Sequence, residues 1–294
     1  MKKKFESIIS GSDFVGDNVK NKEWWNNNLM NYDWDNELGN IEYTKDYFSK
    51  IDNIFGYGHS LINNPKWPNS KILENFIPYE LFKEKKVLEI GCGAGLVASH
   101  ISDSGAILSA IDITDEAIKT TKERFKLFNL KGDILRMDAE SLDFQDNCFD
   151  FVVSWGVIHH SGNMRNILQE IRRVLKPNGK AFIMIYNKNS IRYHIYCKFW
   201  LGIMKMKFLK YSLNEIVGSV TDGYIARHST NNDFKKLVTQ FTSVKFSYSD
   251  EKLTILKYLF GIALPFKYLS TLTKPLEKFL ATRWGWYLQI TLIK

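Results

Sequence analysis

Short apolar runs of strand length alternate with helical patterns through the middle of the chain. Residues 86–90, 106–111, 132–137, 149–154 and 180–186 are apolar runs bounded by glycine or polar turns, which predicts five strands. Between them, 96–102, 114–128 and 163–175 carry helical spacing, and in the last of these Ile167, Ile171, Val174 and Leu175 recur on one face. Asp115 and Glu116 suit the start of the second helix, where unpaired N–H groups carry partial positive charge. Pro177-Asn178-Gly179 predicts the turn into the fifth strand. Strand–helix–strand alternation of this kind predicts a parallel, doubly wound sheet.

After Tyr186 the pattern changes to a long helical region ending near Gln240, then a strand over 243–249 and a final strand over 286–293. With the sixth strand parallel and the last antiparallel, the 250–283 connection leaves at the carboxyl ends of the parallel strands, the edge where such sheets bind ligands. The expected class is therefore α/β: a doubly wound, seven-stranded, mostly parallel sheet. The core is expected over 81–249 and 284–294, with a helical substrate region at 187–240, an aromatic-rich helical cap over 1–80, and a basic amphipathic insertion at 250–283.

Composition narrows the class. Hydrophobic residues make up 45% and charged ones 24% of 294, which excludes a disordered or collagenous chain. The net charge of +8 is uneven: residues 191–294 carry 16 basic and 6 acidic side chains, leaving 24 against 26 for the rest. Three cysteines without a CxxC spacing, and an opening segment without an apolar signal core, predict a reducing, cytoplasmic setting. The stretch 255–272 is interrupted by Lys257, Pro265 and Lys267, so no membrane-spanning helix is expected.

The chemistry centres on Val87-Leu-Glu-Ile-Gly-Cys-Gly-Ala-Gly95, three alternate glycines between a strand and a helix. Glycines there let the chain turn sharply and let a ligand approach the helix N-terminus. Position 96 is Leu, which argues against a GxGxxG dinucleotide turn. This stretch, with Ala-Ile-Asp112-Ile-Thr, Met-Asp138-Ala-Glu and Phe149-Asp-Phe-Val-Val-Ser-Trp-Gly-Val-Ile-His-His160, resembles the Rossmann-like class I S-adenosylmethionine-dependent methyltransferases. The resemblance is to their type-11 group, which includes ubiquinone and menaquinone C-methyltransferases, and spans roughly 81–186.

It implies S-adenosyl-L-methionine as cofactor, with S-adenosyl-L-homocysteine as product. By the resemblance Gly91, Gly93 and Gly95 lie along the cofactor's amino-acid part with Glu89, and Cys92 fits the turn as a small residue rather than a nucleophile. Asp112, with Ile113 beside it, takes the ribose hydroxyls; Asp138 and Ala139 take the adenine; Trp155 completes the set.

His159 and His160 follow the fourth strand, so a base there is placed to remove a proton from an O, N or C nucleophile as it is methylated. Local packing is the alternative role for each. Some quinone O-methyltransferases hold a metal at this point, but His159 and Gly156 stand where two carboxylates would sit, so no metal is expected.

Substrate residues must come from outside the family core. Trp34 and its aromatic neighbours predict a lid over the cleft, or rings that cement the cap; Tyr186 lies at the lip. Asp222, Arg227 and His228 are candidates for a polar or anionic acceptor, a solvated turn being the alternative. The expected acceptor is a small-molecule, natural-product or lipid-linked compound, with peripheral membrane contact through 250–283 as one reading of its interleaved lysines. A nucleic-acid substrate is disfavoured by the absence of an (Asn/Asp)-Pro-Pro-(Tyr/Phe) sequence after the fourth strand. RNA methylation and an inactive cofactor-binding partner protein stand as alternatives; the oligomeric state is not legible.

Overall fold

The computed structural model describes residues 18–30, 42–59, 66, 68–250 and 270–294. Its strands are β1 (Lys86–Ile90), β2 (Ile107–Asp112), β3 (Asp133–Arg136), β4 (Phe149–Trp155), β5 (Leu175–Asn187), β6 (His228–Ser229), β7 (Ser243–Ser249) and β8 (Tyr287–Ile293). They form one sheet in the order β3-β2-β1-β4-β5-β8-β7, with β8 antiparallel to both neighbours. The seven expected strands are joined by an eighth: two-residue β6 pairs with β5 at Tyr186 and Asn187, beyond Met184, where β4 ends.

β5 starts earlier than its apolar run. Pairing jumps from Phe149–Leu175 to Phe151–Lys180, so Lys176-Pro-Asn-Gly179 stands opposite Asp150 alone, and its turn, with Asn178 at φ 64, lies inside the strand rather than before it.

The helices are α1 (Asn18–Asn26), α2 (Lys45–Gly58), α3 (Leu96–Asp103), α4 (Asp115–Phe128), α5 (Met164–Val174), α6 (Leu213–Gly218), α7 (Asn231–Leu237) and α8 (Ser270–Trp284). Side-chain caps set their starts: Thr114 accepts from Ala117 N–H at α4, and Asn163 accepts from Arg165 and Asn166 N–H at α5. The long helix expected after Tyr186 is broken into a π-helix over Arg192–Met204, then α6, β6 and α7. The breaks have local causes: Met206 takes a left-handed backbone, and Ser212 and Thr230 each build a capping box that opens a new helix.

Because side chains alternate along a strand, β1 feeds two cores. Leu88 and Ile90 join Val152 and Ile183 against Ile167, Ile171 and Val174 of α5. Val87 joins Leu108, Ala110 and Phe182 against Leu96, Val97 and Ile101 of α3. Each fully buried Leu or Ile stabilises by about 1.5–3 kcal/mol, so these two layers hold the sheet edge that carries the site.

The described part of the cap docks through α2. Tyr47, Phe48 and Ile51 pack on Ala94 of the glycine turn, while Arg124 of α4 pairs with Asp52 at 2.6 Å and lies over the Phe48 ring. Tyr43 donates to Glu116 at 2.9 Å. Among the described residues no helix is long and apolar enough to cross a membrane. Most of the 250–283 insertion lies outside the described residues, which include only α8 at its end.

Candidate active site

The glycine turn opens where β1 ends. Gly91, Gly93 and Gly95 all have positive φ (80, 51 and 76), a region side-chain-bearing residues disfavour. A Cβ at Gly91 would collide with Val157, and the N–H groups of Gly91 and Cys92 both donate to Ile111 C=O of β2 at 2.8 and 3.0 Å. The turn is thereby fixed against the neighbouring strand with its hollow facing a deep cleft. Gly91, Cys92 and Gly93 line that cleft, whereas Gly95 sits outside its lining, against Thr121 and Arg124, as the N-cap of α3. Burial pushes the Cys92 thiol well above its ordinary range, which leaves it an inert packing group.

Carboxylates gather along the same wall. Asp112 accepts from Gly93 N–H at 3.1 Å through Oδ2, and from the Thr114 N–H and hydroxyl at 3.0 and 2.9 Å through Oδ1. These bonds take up most of the carboxylate's acceptor capacity. Ile113, Asp138 and Ala139 continue the lining, with Asp138 Oδ1 held by Glu140 N–H at 2.9 Å. Glu89 is 4% exposed, and burial, reinforced by Asp112, raises its pKa to about 8. Its Oε2 has no hydrogen-bond partner among the described residues.

Much of the remaining lining is aromatic. Tyr186 belongs to it, and so does Trp155, which the resemblance grouped with the cofactor residues, together with Phe55, His59, Met184 and Tyr287, which nothing local in the sequence marks. Tyr186 and Tyr287 are register partners across β5 and β8, and His59 stacks on both Phe55 (4.0 Å) and Tyr287 (5.5 Å). Asn21 and Trp25 of α1 also line the cleft. Trp25 meets the His160 ring edge-on at 5.0 Å, and Asn21, 4% exposed, has an Oδ1 without a partner among the described residues. Trp34 lies outside the described residues.

The two histidines separate. His160 lines the cleft, and its Nδ1–H donates to Ile225 C=O at 2.6 Å, which leaves Nε2 as the ring's acceptor. Burial lowers its pKa to about 4, so it is neutral at pH 7. Gly223, at φ 85, closes on the ring so tightly that a Cβ would collide with Nδ1 and with Trp25. His159 instead packs behind, 4.1 Å from His160 and 4.2 Å from Tyr186, outside the lining.

The polar run after Thr221 also divides. Asp222 lines the cleft, but Arg227, 1% exposed, is spent on the chain itself: its guanidinium donates to the carbonyls of Ser161 and Gly162, and its N–H to His159 C=O. His228 is stacked against Tyr186 and Trp286, outside the lining. Neither Arg227 nor His228 is part of the cleft lining. Together Ile225 and Arg227 brace the whole 159–162 loop.

Residues 88–183 match a family profile described as a methyltransferase domain, of type 11. The chain carries a class I S-adenosylmethionine-dependent methyltransferase domain. Among its relatives, a ubiquinone biosynthesis O-methyltransferase from Rickettsia akari is 32% identical over 108 residues, covering 37% of this chain and 43% of that protein. Sterol 4-C-methyltransferase strm-1 from Caenorhabditis elegans is 29% identical over 157 residues, 49% of this chain and 47% of the relative. The chain thus spans less than half the length of either. The crystal structure of the [4+2]-cyclase SpnF superposes with a TM-score of 0.55 at 14% identity, covering 97% of this chain and 99% of that one, a likeness of fold.

The site of this methyltransferase domain fits the cofactor on its own observations. The buried, unpartnered Glu89 Oε2 is an acceptor for an ammonium group, and Gly93 leaves open space where any side chain would intrude. Glu89 should therefore report binding. In the free protein at pH 7 it is mostly protonated, since its pKa is about 8; an ammonium beside it favours the carboxylate. About one proton should be released per cofactor, and affinity should rise with pH between about 6 and 7.5. Calorimetry in buffers of different ionisation enthalpy measures this; Glu89→Gln should abolish the release, and a wild-type protein that releases none would remove Glu89 from the ammonium site.

Proposed function

We propose that this protein transfers a methyl group from S-adenosylmethionine to a hydroxyl or amine of a small, apolar, ring-bearing acceptor, with His160 as the general base. The observation that carries this reading is the state of His160: neutral, braced at Nδ1 by Ile225, and part of the cleft lining. Glu89, the Gly91–Gly93 hollow, Asp112 and Asp138 with Ala139 would hold the cofactor. Asp112 would take the ribose hydroxyls as the Thr114 hydroxyl turns away from its Oδ1.

When bound, the cofactor supplies a sulfonium-activated methyl carbon. His160 Nε2 removes the acceptor's proton as the new bond forms. A base of low pKa is a weak one, which suits an O–H or N–H whose proton becomes strongly acidic during methylation better than an unactivated carbon acid. Trp155, Tyr186, Tyr287 and His59 supply flat apolar surface that excludes water, Trp25 holds the His160 ring from the cap side, and Asn21 Oδ1 and Asp222 offer polar contacts. A hydroxyl acceptor accords with the relative named for ubiquinone biosynthesis O-methylation, whereas the sterol relative, named for methylation at carbon, accords only with a small-molecule acceptor.

The test begins with calorimetric titration of S-adenosylmethionine and S-adenosylhomocysteine, with NAD and ATP as controls. Labelled methyl transfer is then measured into phenolic, amine and O-blocked aromatic pools. Binding of both sulfur ligands with label entering only the free hydroxyl or amine pools is expected; label in the O-blocked pool, or in RNA offered as a fourth pool, would overturn the acceptor assignment.

A further inference from the structure

The stretch joining the π-helix to α6 carries an unusual surface. Ile203, Met204, Met206 and Leu209 are each more than half exposed, with Leu209 at 75% and Met206 at 63%, and Phe199 and Tyr211 flank them. Single exposed apolar side chains are ordinary; a run of them in one short segment marks a surface that meets something apolar. Lys198, Lys205, Lys207 and Lys210 are interleaved with them, and no Asp or Glu occurs from 192 to 214.

The segment is held rigidly. Tyr193 and Cys197 anchor the π-helix in a buried cluster with Tyr186 and Trp286, and Arg192 is turned inward, donating to Val220 C=O at 2.6 Å. At the tip Met206 adopts a left-handed backbone (φ 53), and the Phe208 ring occupies the space a Cβ at Gly202 would need. A non-glycine residue in that conformation, with its thioether in water, is a costly arrangement to maintain for solubility alone.

α8 extends the surface. Ile195 and Tyr196 pack against Leu280 and Ala281, and α8 adds exposed Leu276, Phe279 and Trp284 beside Lys274, Lys278 and Arg283. Its one acidic residue, Glu277, is 1% exposed. No acidic side chain of 198–211 or α8 faces outward.

We propose that residues 198–211, with the outer face of α8, dock this protein on an anionic lipid bilayer. Apolar side chains enter the acyl boundary while lysines meet the headgroup charge, the combination that holds amphipathic segments at a membrane surface. The π-helix follows β5, whose Tyr186 lines the cleft, so docking sets the cleft edge of the sheet beside the bilayer. The assignment is independent of the methyl-transfer reading.

Flotation with phosphatidylcholine vesicles, with and without about one-third phosphatidylglycerol, tests it on the full chain. Binding is expected to the anionic vesicles and to fall about tenfold or more at high salt, because surface charge is screened. M206E/L209E should lose about tenfold or more of that binding. K205Q/K207Q/K210Q should lose the preference for phosphatidylglycerol. Both variants should keep the wild-type melting temperature and S-adenosylhomocysteine affinity. No flotation with anionic vesicles, equal binding by the variants, or a dimer in light scattering that M206E/L209E dissolves would each overturn the proposal, the last by assigning the surface to a second copy of the chain.

Discussion

Replacing Asp112 by alanine is expected to weaken S-adenosylmethionine binding at least about 100-fold. Two effects combine. The carboxylate is the cleft's charged acceptor at the end of β2, and a hydrogen bond to a charged group contributes about 1.5–3 kcal/mol. It also bridges Gly93 N–H to Thr114, so its loss frees the glycine turn on one side and the start of α4 on the other. Asp112→Asn keeps the shape and some of the bonds, and should fall between alanine and wild type. Calorimetric titration measures the affinities, and thermal melting separates loss of the ligand contact from loss of the fold. Wild-type affinity in Asp112→Ala would contradict the assigned site.

His160→Ala should lower turnover by about 10²- to 10⁴-fold, the usual contribution of a positioned general base, while S-adenosylhomocysteine affinity changes little. Turnover and binding separate because His160 belongs to the segment after β4, not to the Glu89–Gly93 turn or the Asp112 end of β2. The pH profile carries the sign. The base must be neutral, and its pKa is lowered to about 4, so wild-type turnover should rise as pH increases through about 4 and should not show a His160 limb near 6.5. His160→Gln, which keeps a polar side chain but has no basic nitrogen, should be as slow as alanine. Turnover of either variant within about twofold of wild type would take His160 out of the chemistry and leave it a packing partner of Trp25 and Gly223.

The sheet was largely legible because its signals are local. Alternating apolar runs ending in Gly91-Cys-Gly-Ala-Gly95, a Thr114 cap and an Asn163 cap each state a backbone conformation within a few residues. β5 starts before its expected first residue, Lys180, because Leu175 already pairs with Phe149 ahead of the Pro-Asn-Gly turn, a pairing that only the partner strand supplies. The helical reading to Gln240 missed β6, since two residues have no period and pair only because β5 outruns β4.

The acceptor side was much less legible. Arg227 and His228 looked like ligand-facing groups, but a buried guanidinium must satisfy its donors, and three chain carbonyls lie within reach of this residue's N–H groups. His159 and His160 are adjacent and chemically identical, yet a short 3₁₀ turn over Ile158–His160 sends only one into the lining. Asn21 and Trp25 had no motif to mark them, and Tyr287 reaches the cleft only through its register with Tyr186.

By itself the sequence determined the class of domain, the order of the core elements and the glycine turn and carboxylates that line the cleft, because the groups involved sit at the ends of consecutive strands and local backbone preference is enough to place them. The tertiary structure alone decided which histidine lines the cleft, that Arg227 is a brace, and how α1, α2 and β8 close the acceptor side. Those assignments depend on contacts between segments far apart in the chain, where packing and hydrogen-bond satisfaction select one arrangement that no local pattern encodes.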